Sequence, residues 1–491
     1  MLNLRSFART FFTFKAQLFI LALVSLVLLV LYKPALADRF DTFVASKQIP
    51  SDRIYYRAVF TNLPGVILLS TGIVLLLLAF LKQIRSAALW LVGRERSLLV
   101  LCCLVVVVIQ IAEIFTVRTI YSDDSLEYLK LANTLFVHHA YISDFGFATS
   151  YWPVGYPAYL AFVTIVFGNT ILVVRLLNVL ITLGLVFTLY AVFKQWLDER
   201  ERLLFILVTA LFPNLVLSSN VLLSDYLFTL LLWLTVLLYL RRDYLRYSFV
   251  LIGLLIGAMS YLRPIALLLP VVFSIALWKE HGLWLNRLKL VAGFLIFIAV
   301  IAPWTLRNYL LFGTFVPIST NGGYNFLMGN RVGAPGGVNH DFSYNHANAH
   351  EAEESANAVR IGVRDILAHP LDAVTRMPRK IFDLYRRGDS SLSWAFKRTE
   401  KPLGPFLLSF LFYSTNAVSY FVIYISLLAI AGLYLFKRPV GIHPLLVVIY
   451  GYVILVTLVF VGSERYLIPV IPVHQFLFAK FAGAQIDFHE A

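Results

Sequence analysis

Residues 98–117 read LLVLCCLVVVVIQIAEIFTV, and their length is close to the roughly 20 apolar residues that cross a bilayer as a helix. The run is one of many, because 60% of the 491 residues are hydrophobic and only 14% are charged. A soluble chain carries about 25% charged residues and could not cover this much apolar surface. The sequence therefore predicts an all-α polytopic membrane protein with about 12 transmembrane helices.

Apolar runs recur along the chain, and we predict a membrane span in each: 17–32, 64–81, 98–117, 171–194, 203–219, 222–240, 248–262, 264–279, 288–305, 408–436, 444–461 and 466–482. The first run follows Arg5, Arg9 and Lys15, and residues 35–37 (Ala-Leu-Ala) resemble a signal-peptide cleavage site. A retained first helix nevertheless fits the sequence better than a cleaved signal peptide.

Basic residues are concentrated in alternate short loops, on the side of the basic N-terminus. They are Lys82, Arg85, Arg94, Arg96, Lys194, Arg200, Arg202, Arg241, Arg242, Arg246, Lys279, Arg287, Lys289, Lys437 and Arg438. Cytoplasmic loops carry such an excess, so we assign this side to the cytoplasm, although the basic loop 33–63 mildly contradicts it. The net charge of +14 therefore indicates membrane lipids with anionic headgroups as partners, and not nucleic acid.

The spans divide the chain into four regions. Residues 1–97 are an N-terminal extension with two transmembrane helices, and 98–305 are a transmembrane core with a large outer loop at 118–170. Residues 306–405 are a small extracytoplasmic loop domain, and 406–491 carry the C-terminal transmembrane helices.

Both outer segments have local patterns. Leu126, Leu129, Ala132 and Leu135 share one side of a helix, which is typical of a helix lying in the membrane interface. The apolar stretch 154–167 is too short to span and is predicted to be re-entrant or interfacial. In the loop domain we predict turns at 321–325 and 333–337, followed by helices at 350–368 and 372–387.

Asp123 and Asp124 lie just outside the span 98–117 and are the first candidates for chemistry. A carboxylate in a site of low dielectric can act as a general base, and two can bind a cation. The spacing of Asp124 and Glu127 is also that of a helix N-cap and its reciprocal partner, and from spacing alone this structural interpretation is favoured.

Two arginines occur in tight outer turns. Arg263 stands between two spans, before Pro264, and Glu464-Arg465-Tyr466 precede the last span. A guanidinium at this depth can bind a phosphate through two hydrogen bonds. The alternatives are a snorkelling arginine at 263 and an interfacial anchor at 464–466.

Other polar residues give weaker signals. Arg175 and Asp225 lie near the outer ends of their helices, where we expect a structural ion pair between them. His138 and His139 are adjacent and cannot both ligate a metal easily, so no metal site is predicted. Nucleotide-binding glycine loops and nucleophile elbows are not found, so a transferase of this kind would not use a cytoplasmic nucleotide donor.

Eight short segments together resemble a known family. They are DSLEYLKLA at 124–132, YWPVGYPAYLA at 151–161, VRLLN at 174–178, LSDYLF at 223–228, LRP at 262–264, PWTLRNY at 303–309, NGGYN at 321–325 and ERY at 464–466. In order and topology the chain from Leu98 onward is similar to GT-C class integral membrane glycosyltransferases. The similarity is to the bacterial branch related to protein O-mannosyltransferases and the lipid A aminoarabinose transferase. The two N-terminal spans precede the usual GT-C-like core and have no assigned role.

The resemblance implies a catalytic acidic residue in the first large outer loop. With Tyr128 on the family's aromatic position, Asp124 takes the acidic position and Asp123 is the neighbouring alternative. Arg263 and Arg465 would then bind the donor phosphate. The remaining substrate-binding residues that we expect are Tyr128, Glu464, Tyr466, Asn321 and Tyr324.

The implied activity is transfer of a hexosyl or pentosyl group from a polyprenyl-phosphate carrier to an acceptor hydroxyl, with inversion. The acceptor would be a glycolipid, a polysaccharide or a protein, and the site would face the periplasm or exterior from the bacterial inner (plasma) membrane. No cofactor is firmly implied, and Asp123 leaves room for a divalent metal. The alternatives are a flippase or polymerase of lipid-linked saccharides, or a non-catalytic scaffold. A transporter is disfavoured because the two halves of the chain show no symmetric broken helices.

Overall fold

The computed structural model describes residues 55–485, except 58, 61, 80–82, 84, 85, 87–89, 169, 281–282, 339–349 and 436–441. Within these residues the chain is almost entirely helical, and β-structure is limited to isolated bridges such as the parallel one between Gly337 and Gly462. The predicted all-α class is confirmed.

Eighteen α-helices follow one another in the described part of the chain. They are α1 Leu63–Ala79, α2 Glu95–Thr116, α3 Asp123–His138, α4 Gly155–Phe167, α5 Thr170–Phe193, α6 Glu199–Ala210, α7 Pro213–Val216, α8 Asp225–Leu240, α9 Ser248–Leu262, α10 Leu269–Lys279, α11 Leu283–Phe312, α12 Asn321–Asn330, α13 Glu351–Ala368, α14 Pro370–Tyr385, α15 Ser390–Phe396, α16 Pro405–Leu435, α17 Pro444–Val459 and α18 Ile471–Gln485. Short 3-10 helices occupy Lys194–Trp196, Pro264–Leu268 and Glu464–Val470.

Four helical segments in the described part of the chain are long and apolar enough to cross a membrane. They are Glu95–Thr116, Thr170–Trp196, Asn286–Phe312 and Pro405–Leu428. Five further apolar helices are shorter, among them α8, α9 and α17. The total of about 12 transmembrane helices stays a prediction, and its first span, 17–32, lies outside the described residues.

The predicted span 203–219 is wrong in its C-terminal half. Helix α6 ends at Ala210, and after the single turn of α7 the chain is not helical up to Ser224. Pro213 has no N–H to continue the ladder of α6. Ser218, Ser219 and Asn220 are buried there, and Ser219 Oγ donates to Glu113 Oε2 at 2.6 Å. Gln110 Nε2 of α2 donates to Leu215 O at 2.9 Å, and Asn178 Nδ2 of α5 donates to Ser219 O at 3.1 Å and Val221 O at 3.0 Å, so side chains replace part of the missing helical hydrogen bonds.

The outer segments fold largely into the predicted helices. The helix predicted to lie in the interface forms as α3, the short apolar stretch forms α4, and the helices predicted at 350–368 and 372–387 form α13 and α14. The turn predicted at 321–325 is wrong, because these residues begin α12, where Tyr324 and Leu327 pack against Ala358 of α13. Helix α11 runs on to Phe312, so the boundary drawn at 305/306 falls inside a helix.

An aromatic core joins helices that are distant in sequence. Phe193 of α5 packs against Trp233 of α8 at 5.1 Å and against Phe476 of α18 at 5.0 Å between ring centroids. Trp233 is completely buried, and its Nε1 donates to Pro469 O at 3.0 Å. Since Pro469 belongs to the 3-10 helix Glu464–Val470, this hydrogen bond fixes that helix against α8. Residues 225 and 465 are brought close together in this way.

Candidate functional site

Four charged side chains form a continuous chain of ion pairs. Asp124 Oδ2 accepts from Arg465 Nη1 at 2.5 Å, and Asp225 Oδ2 accepts from Arg465 Nη2 at 2.8 Å. The other oxygen of Asp225, Oδ1, accepts from Arg263 Nη1 at 2.6 Å. Three candidates named from the sequence, Asp124, Arg263 and Arg465, are therefore brought together, and Asp225 links them.

Asp225 is the member of this chain of ion pairs that the sequence did not indicate as a site residue. It lies at the start of α8 and is completely buried, whereas the side chains of its two arginine partners are 14% and 17% exposed. A buried carboxylate needs partners of opposite charge, and both of its oxygens have one. The expected pair of Asp225 with Arg175 is wrong, because Arg175 Nε donates to Tyr121 Oη at 2.9 Å.

The N-cap interpretation of Asp124 is also wrong. Helix α3 begins at Asp123 after the N-cap residue Ser122, so Asp124 lies within the first turn. Its carboxylate is bound by Arg465, and Glu127 instead accepts from Lys130 Nζ at 2.8 Å. A carboxylate in the first turn is still stabilised by the helix dipole. Its direction, however, is set by the guanidinium of a distant segment.

Asp123 differs from its neighbour in backbone and in partner. It has φ +50°, in the left-handed region, and its side chain is 59% exposed. Its Oδ2 accepts from Arg398 Nη1 at 3.1 Å, next to the backbone hydrogen bond from Ile120 N to Arg398 O. The two adjacent aspartates therefore bind different arginines, and Asp124 is the one in the buried chain of charges.

Aromatic rings surround Asp124 and the arginines. Tyr128 and Tyr151 both pack against Trp152, at 5.6 and 5.1 Å between ring centroids, and Tyr151 lies 5.8 Å from Tyr324. The guanidinium of Arg263 lies 5.5 Å from the ring of Tyr466. Burial, reinforced by the charge of Asp124, raises the pKa of both Tyr128 and Tyr151 above the ordinary value, so their phenols stay neutral. Tyr128, Tyr324 and Tyr466 are thus near the site, as expected.

Two other expected site residues have neighbours outside this chain of charges. Ser319 Oγ donates to Asn321 Oδ1 at 2.9 Å, at the start of α12. Burial raises the pKa of Asp383 on α14, and the charge of Glu464 adds to this rise. Substrate binding by Glu464 and Asn321 therefore stays a prediction.

A buried carboxylate fixes the backbone beside the aromatic residues of the site. Glu351, at the start of α13, accepts from Ser150 N at 2.6 Å and from Thr149 Oγ1 at 2.7 Å. Arg307 of α11 donates to Thr149 O at 2.9 Å. Burial raises the pKa of Glu351. These contacts hold the backbone next to Tyr151, and the sequence offers no local signal for Glu351 or Arg307.

In the described part of the chain, no three His, Cys, Asp or Glu side chains lie close enough together to hold a metal ion. Both oxygens of Asp225 are occupied by arginines, so Asp124, with Asp123 beside it, is the carboxylate that a divalent cation could reach. The site thus offers two cationic groups for an anion and one accessible carboxylate.

An apolar groove of about 530 Å³ runs between α4, α8, α9 and α11. It is lined by Val154, Gly155, Ala158, Tyr159, Leu227, Leu231, Ala258, Tyr261, Leu262, Pro303 and Trp304. Leu262 directly precedes Arg263, and Leu227 lies two residues after Asp225. Leu262 thus links the groove in sequence to Arg263, whereas Leu227 and Asp225, two residues apart on α8, lie on opposite faces of that helix.

A family model described as dolichyl-phosphate-mannose-protein mannosyltransferase matches residues 152–306. The matched stretch contains α8 and α9, and with them Asp225 and Arg263. The resemblance to GT-C class membrane glycosyltransferases, on the branch related to protein mannosyltransferases, is thereby confirmed over these residues.

Solved structures of two membrane transferases resemble this chain. The oligosaccharyltransferase AglB from Archaeoglobus fulgidus, in complex with an inhibitory peptide and a dolichol-phosphate, has 13% identity and a TM-score of 0.45, over 78% of this chain and 50% of that chain. ArnT from Cupriavidus metallidurans, bound to undecaprenyl phosphate, has 13% identity and a TM-score of 0.39, over 79% of this chain and 77% of that chain. This chain spans about half the length of the archaeal enzyme. No curated protein matches it.

Proposed function

We propose that this protein is a glycosyltransferase that moves a hexosyl or pentosyl group from a polyprenyl-phosphate carrier to an acceptor hydroxyl. The observation that carries the proposal is the chain of ion pairs Asp124–Arg465–Asp225–Arg263. An apolar groove lined by Leu262, the residue before Arg263, supports it. A donor of this class has a long apolar tail and an anionic head, which match the groove and the two arginines.

The groove would hold the first isoprene units of the carrier. Its wall is almost wholly apolar, with Leu227, Leu231 and Leu262 on one side and Trp304 on another. A tail lying there would place its phosphate next to Arg263. Burial of apolar tail surface contributes roughly 25 cal/mol per Å², so a few isoprene units would anchor the donor.

When the donor binds, the guanidinium of Arg465 would exchange its hydrogen bond to the Asp124 carboxylate for one to the donor phosphate. Arg465 now shares its guanidinium between Asp124 and Asp225, and an incoming phosphate competes with Asp124 for Nη1. Asp225, which is completely buried, keeps both arginines in place while this happens. Burial opposes the charge of Arg465, but its two carboxylates hold its pKa well above the ordinary value, so it stays a cation.

The reaction is a direct displacement at the anomeric carbon. The acceptor oxygen forms a bond to that carbon, the bond from the carbon to the phosphate oxygen breaks, and the configuration is inverted. The proton of the acceptor hydroxyl moves to Asp124, which acts as the general base. The leaving polyprenyl phosphate gains negative charge, and the guanidinium groups of Arg263 and Arg465 stabilise it.

Two features support a site for this reaction in the cell envelope. We propose an integral protein of the bacterial inner membrane, because basic residues mark the opposite side of the spans as cytoplasmic. The ion pairs join the C-terminal end of α9 and the 3-10 helix Glu464–Val470 to the N-terminal ends of α3 and α8, which lie at the end that this assignment puts outside. The acceptor is then a glycolipid, a polysaccharide or a protein of the periplasm or exterior.

The test is transfer by the purified protein from a panel of polyprenyl-phosphate sugars, with mass spectrometry of carrier and product. We expect one donor to be consumed with release of the polyprenyl phosphate, and the Asp124→Asn protein to be inactive. A folded wild-type protein that consumes none of the donors in the presence of envelope extract as acceptor rejects the proposal. Lipid translocation without bond cleavage, measured in vesicles, would favour a flippase instead.

A further inference from the structure

The backbone that leads to Arg465 is held by the region between α11 and α16. We call residues 458–463 the lead segment, because they connect the end of α17 to the 3-10 helix that begins at Glu464. The lead segment contacts the C-terminal end of α12, the buried side of α14 and the loop 333–337. All three belong to the region between α11 and α16.

Lys380 and Asn330 bind the last carbonyls of α17. Lys380 Nζ donates to Leu458 O at 2.8 Å and to Asn330 Oδ1 at 2.9 Å, and Asn330 Nδ2 donates to Val459 O at 2.7 Å. Carbonyls in the last turn of a helix have no partner within the helix, so side chains must supply the donors when that end is buried. The helix dipole also favours a cation at this end.

Lys380 is unusual in being a buried cation at the end of another helix. Its side chain is among the largest that are fully buried, with 1% exposed. The hydrogen-bond partners of its ammonium group are a carbonyl and an amide oxygen, and not a carboxylate. Burying an ammonium costs free energy, and packing alone could be achieved with Leu or Met. Its position therefore indicates that Lys380 is needed for the hydrogen bond to Leu458 O, which an apolar side chain cannot donate.

The lead segment has little room to move. A Cβ at Gly462 would lie 2.3 Å from Lys380 O, and one at Gly329 of α12 would lie 1.8 Å from Phe460 O. Gly462 N donates to Gly336 O at 3.0 Å, which pairs the lead segment with the loop 333–337. Because backbone touches backbone at these points, a shift of α14 must also shift the lead segment.

Arg465 follows the lead segment by two residues. Tyr466 N donates to Ser463 O at 3.0 Å, so the turn that carries Arg465 starts from the lead segment itself. The hydrogen bonds of Arg465 to Asp124 and Asp225, at 2.5 and 2.8 Å, weaken steeply with displacement or misalignment. We propose that Lys380 is a positioning residue, which fixes the guanidinium of Arg465 through the lead segment without touching the substrate.

This inference rests on the proposed function only for the consequence in catalysis, and the positioning itself is measurable without any activity. The variant is Lys380→Met, which keeps the bulk and removes the donors. The matched control is Lys401→Met, at an exposed lysine of the same region. Hydrogen–deuterium exchange of the full-length protein in detergent reports the amides of 458–466.

We expect the amides of Gly462 and Tyr466 to exchange about tenfold faster in Lys380→Met, while those of α8 do not change and Lys401→Met matches the wild type. Asn330→Ala removes the hydrogen bond to Val459 O and gives the same readout if Lys380→Met does not fold. Wild-type exchange rates at 458–466 in a folded Lys380→Met or Asn330→Ala protein would overturn the positioning role.

A double-mutant cycle with Arg465→Lys tests the link to catalysis. Lys380→Met should lower kcat about tenfold in the wild-type background, with KM for the acceptor unchanged, and should have no further effect beside Arg465→Lys. Equal losses in both backgrounds would show that Lys380 does not act through Arg465. A wild-type protein without transferase activity rejects the proposed function, and the exchange measurement still decides the positioning.

Discussion

The carboxylate of Asp225 is completely buried and its Oδ2 accepts a hydrogen bond from Arg465 Nη2 at 2.8 Å, although 240 residues separate the two in sequence. Because its Oδ1 binds Arg263 in the same way, Asp225 holds two arginines at one point. A single buried carboxylate thus determines where both candidate phosphate-binding groups lie.

Asp225→Asn should therefore be costly to stability as well as to activity. The change leaves two buried guanidinium groups without their shared anion, and breaking a buried pair in this way costs about 3–5 kcal/mol. We expect a clearly lowered Tm in detergent and a loss of donor binding. Asp144→Asn, which affects a half-exposed pair with Lys130, is the control and should change Tm little. An unchanged Tm in Asp225→Asn would mean that the buried ion pairs are not formed.

Asp124→Asn should abolish transfer and leave the protein folded. The amide keeps the size of the side chain but cannot accept a proton, and loss of a general base lowers rates by about 10²–10⁴-fold. Since the Asp124 side chain is 23% exposed, its pairing with Arg465 contributes less to stability than that of Asp225 does. The measurements are kcat and Tm. Full activity in Asp124→Asn together with an inactive Asp123→Asn would move the base by one residue, and activity in the double variant would exclude this role.

Two kinds of feature could be predicted from the sequence alone. Helices α2, α3, α8 and α9 were predictable because run length and helical spacing are local properties of the chain. The positions of the candidate arginines were predictable because a charge in a tight turn between apolar runs costs free energy unless it has a partner or a function. Both inferences use neighbours in sequence, which is why they hold.

Partnership between distant residues was not predictable in the same way. Asp225 and Arg175 both lie near the outer ends of their predicted spans, and only the packing of α8 against the 3-10 helix at 464–470 decides for Arg465. Likewise, the spacing of Asp124 and Glu127 is right for a helix cap, but Arg465 attracts the carboxylate more strongly. In each case a charge–charge contact across the fold outweighs a local preference.

Asp123 should be replaceable by glycine more easily than by alanine. Its φ of +50° is in the left-handed region, where an L-residue such as alanine costs about 1–2 kcal/mol and glycine does not. Both variants lose the ion pair with Arg398, so this loss cancels when the two are compared. We therefore expect Asp123→Gly to keep near-wild-type Tm and activity, and Asp123→Ala to be the less stable of the two. Equal Tm values for both would show that residue 123 does not adopt this conformation.

Arg263→Ala should weaken the use of donor more than that of acceptor. Arg263 directly follows Leu262 of the apolar groove in sequence and contacts Asp225 through one nitrogen of its guanidinium, so other nitrogens can face an anion. Steady-state kinetics with both substrates varied should show a higher KM for the polyprenyl-phosphate sugar and an unchanged KM for the acceptor. Arg263→Lys, which keeps the charge but not the bidentate geometry, should fall between the two. Wild-type donor kinetics in Arg263→Ala would remove this residue from the donor site.

Lys380 gives stability a dependence on pH with a definite sign. Burial, with the charge of Arg376 nearby, lowers the pKa of Lys380 to about 8 in the folded protein. The lysine of the unfolded chain titrates near its ordinary pKa of about 10.4. Below pH 8 both states carry the charge, and the full cost of burying it is present. Between the two values the unfolded state binds more protons, so stability rises with pH, by at most about 1.4 kcal/mol per pH unit.

The measurement that isolates this group is the Tm of wild type minus that of Lys380→Met, recorded from pH 7 to 10. Other titrating groups, including Asp383 on the same helix, are common to both proteins and cancel in the difference. We expect the difference to be constant below about pH 8 and to increase above it. Lys401→Met, at an exposed lysine, should give a flat difference over the whole range. Parallel curves for wild type and Lys380→Met would mean that Lys380 titrates like an exposed lysine and is not buried at the end of α17.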